Sequence, residues 1–307
     1  MRRYCYTLVF GALAILLVNG TFNWFVDGFA YFGRAPFGLY TDSYAREWAA
    51  SRISNYPHDA VILGTSKTIQ IPAKNINSCR VFNASFNGAR PEELKYFIKH
   101  FLPSDKFLMI GLDLFTFNEE PLRQSKFGMI SFKNLISYVF SLGATQYSLN
   151  IIKNWSKGRL GDSLLPEGGR STWRLVAGDN KRTDYDYEGY NKYISSSIFN
   201  NFKLSETRFE ILRDIKRILE RRDQRYVTFI NPLSPSLIDL YKDIGIYDDL
   251  IEFRRMVHDI FPRTIDLSDG EYSVKESFYK VDSLHYLPNI GAKFIDEILE
   301  KRKCIKS

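Results

Sequence analysis

The chain has 307 residues, 45% of them hydrophobic and 15% aromatic, and a formal charge of +7. This composition supports a packed core and excludes a disordered polar polymer, and the length allows one large domain with an insertion or two small ones. The positive charge suits an anionic polymer or an acidic membrane surface. No Arg/Lys run interleaved with aromatics is present, so a nucleic-acid partner is not expected.

The first predicted element is a membrane segment. Arg2 and Arg3 precede an uncharged run from Tyr4 to Val26, interrupted by Asn19 and Asn23. About 20 apolar residues cross a bilayer, and the run reaches that length. The two arginines should stay cytoplasmic and place the rest of the chain outside. A cleaved signal peptide, cut after Gly20, is the rival. Phe22, Trp24 and Phe25 suit an interfacial belt, so residues 1–27 are read as an uncleaved anchor, and residues 28–58 as a juxtamembrane linker with a helix over Thr41–Ser54.

Regular alternation then begins. Ala60–Leu63 is a short apolar run of the kind buried in a parallel sheet, followed by a second strand at Arg80–Ala84. Pro91, Glu92 and Glu93 open a helix running to Phe101, because proline and acids suit a first turn. Lys106–Leu112 is a third strand that delivers Asp113 at its end. Residues 119–204 interrupt the pattern and are read as an insertion or lid above the sheet. It has an amphipathic stretch at Ile130–Trp155, a Pro166–Arg170 loop and a Tyr-rich stretch at Thr183–Tyr190. That last stretch could stack on sugar rings or simply pack as a loop.

Ser205 caps a helix over Glu206–Arg222, and a fourth strand comes next at Tyr226–Ile230. A helix at Asp249–Ile260, a fifth strand at Thr264–Leu267 and a last helix at Pro288–Arg302 complete residues 59–307. Strands alternating with helices predict an α/β domain with a parallel sheet of about five strands. Ligands of such sheets bind beyond the carboxyl ends of the strands, where Ser66, Asn87, Gly88 and Asp113 all fall.

Two of these positions carry chemistry. Ser66 follows Gly64 and Thr65 on a strand-to-helix turn, where glycine permits the sharp bend and the backbone N–H groups of Ser66 and Lys67 suit an oxyanion. A serine is also an ordinary N-cap, so the turn alone decides little. His285 lies three residues after Asp282, on a turn leading into the last helix, where the carboxylate can orient the imidazole. The other histidines, His58, His100 and His258, are assigned no role. None of the three cysteines, Cys5, Cys79 and Cys304, has the spacing of a zinc or redox centre. Unpaired cysteines are the preferred reading, with a Cys79–Cys304 bridge as the alternative.

The set Gly64-Thr65-Ser66, Asn87-Gly88, Gly111-Leu112-Asp113 and Asp282-x-x-His285 resembles the SGNH (GDSL-like) hydrolase superfamily. Within it, the chain is most similar to membrane-anchored, exported members related to alginate-type acetyltransferases and the teichoic-acid D-alanylation protein. The resemblance covers roughly residues 59–117 and 281–302. It implies a three-layer, flavodoxin-like fold, with Ser66 as nucleophile, His285 as base and Asp282 orienting it. Gly88 supplies an oxyanion N–H, with Asn87 and the Lys67 backbone as further candidates.

One departure stands out. The family's third block commonly offers an asparagine to the oxyanion, and here the strand ends in Asp113, a carboxylate that repels an oxyanion unless protonated. Asn87, Asn118 or backbone donors would then have to serve.

These features lead to an exported acyltransferase or esterase acting on O-acyl groups, in particular O-acetyl groups, of a cell-envelope or secreted polysaccharide. It is expected at the cytoplasmic membrane, single-pass, with its domain on the periplasmic side. The chemistry calls for no cofactor or metal. By resemblance, a membrane acyltransferase supplies the acyl group. Two other readings remain: a non-catalytic envelope protein that binds or helps assemble a polysaccharide, and a phosphate-processing enzyme using the Ser66 turn as an anion nest. Hydrogen-bond reach between Ser66 and His285 separates catalysis from binding.

Overall fold

The computed structural model describes residues 2–28, 32, 37, 45–54, 56–120, 132–156, 163–164, 171–172, 194–279, 282–302 and 304. Helix α1 (Arg2–Val26) is long and apolar enough to span a membrane. Helix α2 (Ala45–Arg52) is next, within the Thr41–Ser54 expected, of which residues 41–44 lie outside the described residues. Its Arg46 donates to Glu93 at 2.7 Å, which ties it to the next large helix.

Five parallel strands form the central sheet: β1 (Ala60–Leu63), β2 (Val81–Asn83), β3 (Phe107–Leu112), β6 (Tyr226–Ile230) and β7 (Ile265–Asp266). Their spatial order is β2-β1-β3-β6-β7. Every position of β1 and β3 is buried, which explains why these strands read as continuous apolar runs instead of alternating ones. Successive side chains still divide between two cores. Val61, Leu108 and Ile110 enter one, and Ile62, Met109 and Phe229 the other.

The first core is filled by α4 (Pro91–His100), α7 (Glu206–Arg221), α8 (Pro235–Asp243) and α9 (Tyr247–Ile260). Helix α4 starts as its sequence dictates. Pro91 occupies the first turn, and Glu93 accepts from the Arg90 N–H at 3.2 Å. The second core is closed by α10 (Pro288–Lys301), which contributes Phe294, Ile295 and Ile298.

Cys79 and Cys304 form a disulfide, with Cα atoms 6.0 Å apart. The preference for unpaired cysteines is therefore corrected. Their separation of 225 residues hid the pairing, because only the packing of α10 on the segment before β2 brings the two ends together. Cys5 is the one free cysteine among the described residues.

The insertion leaves and returns at one place. Asn118 bridges Leu204 in antiparallel fashion, and the Asn118 side chain accepts from the Lys203 N–H at 2.9 Å. Asn118 is thus a clasp at the root of the insertion. The described part holds α5 (Phe132–Val139), α6 (Leu142–Ser156) and the two-residue pair β4 (Ser163–Leu164) with β5 (Ser171–Thr172). Helices α5 and α6 of the insertion pack against α1. Pro166–Arg170 and Thr183–Tyr190 lie outside the described residues.

Candidate functional site

With β1 flanked by β2 on one side and β3 on the other, chain connections diverge between β1 and β3, the point beyond whose strand ends ligands of such sheets bind. Ser66 follows β1 and Asp113 follows β3, so both stand at this point. Ser66 begins α3 (Ser66–Ile69), but it does not cap it. Thr65 is the N-cap, its hydroxyl accepting from the Lys67 N–H at 3.2 Å. The Ser66 hydroxyl is left for another partner: it lies 2.9 Å from His285 Nε2.

Gly64 works here for a different reason than its expected backbone freedom. A Cβ at Gly64 would sit 2.6 Å from Thr68 Oγ1 and 2.8 Å from the Gly111 carbonyl oxygen. A Cβ at Gly111 would in turn strike Thr68 and approach Phe229 to 2.9 Å. Two hydrogens in place of side chains therefore let α3 sit directly on the end of β3.

His285 lies in strand β9 (Asp282–Tyr286), which pairs antiparallel with β8 (Phe278–Tyr279), and not on the turn that was expected. It is buried, and β9 is pinned from below on either side of it. Ser234 Oγ donates to the Ser283 carbonyl at 2.6 Å, and Tyr286 OH donates to Asn231 Oδ1 at 3.1 Å. Ser234 also caps α8, accepting from the Leu237 N–H at 3.1 Å. One loop after β6 therefore sets the height of the imidazole. The Ser234-Pro235 pair, an N-cap followed by proline at N1, is the signal that marks α8 in the sequence.

Beneath the serine lies a buried polar network that the sequence reading missed. Asp113, 2% exposed, accepts from Thr65 Oγ1 at 2.5 Å and from Asn231 Nδ2 at 3.0 Å. Its other oxygen faces Lys67 Nζ at 3.2 Å in an ion pair whose geometry falls short of a well-formed hydrogen bond. Lys67 Nζ also donates to the Pro232 carbonyl at 3.3 Å. Burial pushes the Lys67 amine below its ordinary range, and Asp113 opposes that. Burial likewise pushes the Tyr286 hydroxyl well up, with Asp113 adding to it.

Asp113 is thus the hub that fastens β1, β3 and β6 to one another. A polar residue at the end of each of three strands was the available signal, since buried polar groups are paired.

The other expected site residues are more dispersed. Asp282 opens β9, and its side chain lies outside the described residues. Asn87 and Gly88 occupy the loop after β2, with Asn87 exposed and Gly88 at φ 57°. The Asn87 carbonyl accepts from Arg46 at 3.2 Å. The Lys67 N–H, a candidate oxyanion donor, is engaged with Thr65. The Ser66 N–H, first in its helix, lies outside the helical hydrogen-bond ladder.

In the tautomer protonated at Nδ1, the Ser66 O–H donates to His285 Nε2, so the imidazole is placed to take that proton as Oγ attacks an electrophilic carbon. No protein-family model matches this sequence, and no match is found among curated protein sequences.

Proposed function

We propose that this chain is an exported, membrane-anchored serine acyltransferase or esterase of SGNH type, acting on O-acyl groups of a cell-envelope or secreted polysaccharide. The single observation that carries the reading is the 2.9 Å contact between Ser66 Oγ and His285 Nε2 at the sheet's divergence point. Ser66 attacks the acyl carbonyl, His285 accepts its proton, and the leaving alkoxide takes that proton as the acyl-enzyme forms. A sugar hydroxyl or water then attacks the acyl-enzyme and regenerates Ser66. Asp282 orients the imidazole. The Ser66 N–H and the Gly88 N–H, with Asn87 beside it, face the developing oxyanion.

The three-layer SGNH arrangement belongs to this reading, supported by the strand order and by apolar cores drawn from alternate strand positions. The Cys79–Cys304 disulfide supports an oxidising, extracytoplasmic location. In this reading helix α1 is an uncleaved anchor, which the packing of Gly20 and of Asn19 and Asn23 beside it on the insertion supports. By the same reading, a membrane acyltransferase delivers the acyl group. The Ser66–His285 contact favours this reading over that of a polysaccharide-binding protein.

The test is intact-mass analysis of the protein after exposure to an activated acetyl ester, with wild type beside Ser66→Ala. An acetyl adduct present in wild type and lost in a folded Ser66→Ala supports the reading. Absence of both adduct and turnover in the folded wild type sinks it in favour of polysaccharide binding. A loss of turnover of roughly 10⁶-fold is expected for Ser66→Ala.

A further inference from the structure

Asn19 and Asn23 interrupt the apolar run of α1 near the end that meets the domain. Both are satisfied by the α5–α6 hairpin. The Asn23 side-chain amide lies 2.8 Å from the Val139 carbonyl and 3.1 Å from the Ser141 carbonyl, and Thr145 Oγ1 donates to Asn19 Oδ1 at 2.5 Å. The hairpin turn also packs closely on the helix, with Phe140 and Val139 against Gly20. Further along α6, Ser148 and Ile151 pack at Gly28, so α6 climbs beside the last turns of α1 and its first residues lie deepest.

Gly20 is six residues before Val26, so the hairpin tip sits about 9 Å back along α1 from its end. A 25-residue helix is about 37 Å long against a hydrocarbon core of roughly 30 Å. With Arg2 and Arg3 at one surface, Gly20 falls inside the opposite edge of that core.

The side chains at the tip match this depth. Leu142 is 81% exposed, and Ile136, Phe140 and Leu149 are exposed as well. From Asn134 to Ile152 the sequence holds no charged residue, in a chain that is 25% charged, and Lys133 and Lys153 flank this stretch. The Val139 carbonyl, at the end of α5, is taken by Asn23, and the Ser141 carbonyl accepts from both Asn23 and the Thr145 N–H, as a turn out of reach of water requires.

We propose that the α5–α6 tip, through Phe140 and Leu142, seats in the domain-side leaflet of the lipid bilayer beside α1. This rests on the reading of α1 as a membrane anchor. A single helix lets the domain pivot about one point. A second, apolar contact fixes the tilt of the domain and the distance of Ser66 from the membrane surface.

The test uses the full chain in phospholipid vesicles, with Cys5→Ser and one new cysteine carrying an environment-sensitive fluorophore. The labelled positions are Leu142→Cys, Leu13→Cys in α1 and Lys153→Cys at the far end of α6. Spin-labelled lipids are expected to quench Leu13→Cys and Leu142→Cys, the latter from a shallow position and with blue-shifted emission, while Lys153→Cys stays water-like.

Quenching at Leu13→Cys with water-like emission at Leu142→Cys overturns the proposal and leaves the anchor standing. No quenching at Leu13→Cys overturns both. A Leu142→Cys label shielded from water yet indifferent to spin-labelled lipid, and sensitive to protein density, means that a second copy covers the tip, which also overturns the proposal.

Discussion

Thr65 and Asp113 are joined by a 2.5 Å hydrogen bond from the threonine hydroxyl to the carboxylate, tying the turn after β1 to the end of β3. The same hydroxyl accepts from the Lys67 N–H, so one side chain both caps α3 and anchors it to the neighbouring strand. Ser66 lies between Thr65 and Lys67, in the turn that this tie holds. The residue expected to disturb an oxyanion hole is thereby a support of the Ser66 turn.

Asp113→Asn removes the charge opposite Lys67, whose side chain is fully buried. Breaking a buried pair on one side costs about 3–5 kcal/mol, because the remaining charge is left without compensation. Urea unfolding is expected to show a loss of that size. The double variant Lys67→Met with Asp113→Asn recovers part of it, which a purely local defect at Asp113 would not allow.

Gly64→Ala places a methyl group against Thr68 and the Gly111 carbonyl, and the backbone cannot yield cheaply there. A loss of about 1–3 kcal/mol is expected from the overpacking. The acyl-adduct yield at Ser66 should fall with it, since α3 must lift from β3. Unchanged stability and adduct yield in Gly64→Ala would contradict this account of the turn.

Reducing the Cys79–Cys304 bond, or replacing Cys79 by serine, frees α10 from the loop before β2. A loss of roughly 2–5 kcal/mol is expected, read as a lower denaturation midpoint under reducing conditions. Cys79→Ser should then be insensitive to added reductant, which isolates the effect to this bond.

Asp296 in α10 gives an acid-dependent contribution. Burial raises its carboxyl, but donation from Ser78 Oγ and from the Ser78 and Asn77 backbone outweighs this and holds it below its usual 3.8. A depressed carboxyl stabilises the fold above its unfolded value, and the contribution is lost as pH falls through the lower folded value. Wild type should therefore exceed Asp296→Ala in stability at pH 7. The gap narrows only below about pH 4. A gap that stays constant to strong acid would mean that the carboxylate's charge plays no part.

Much of the architecture was legible locally. Ala60–Leu63, Lys106–Leu112 and Tyr226–Ile230 announce buried parallel strands because both faces of the sheet are covered, and Pro91 and Pro288 each stand in the first turn of a helix. Ser66 and His285 were legible as residue types in a suggestive order. Their contact was not, because it depends on β9, a strand set by Ser234 and Asn231 from a different part of the chain.

By itself the sequence determined the apolar length of α1, the alternation of strands with helices, and which polar residues end the strands. These are properties of neighbouring residues, written in hydrophobic period and in turn chemistry. Only the tertiary structure decided that Asp113 pairs with Lys67, that Cys79 reaches Cys304, and that Asn23 closes the hairpin turn. Each of those contacts joins segments far apart in the chain. Burial makes an unpaired polar group costly, so the partner is chosen by the fold and not by the neighbouring sequence.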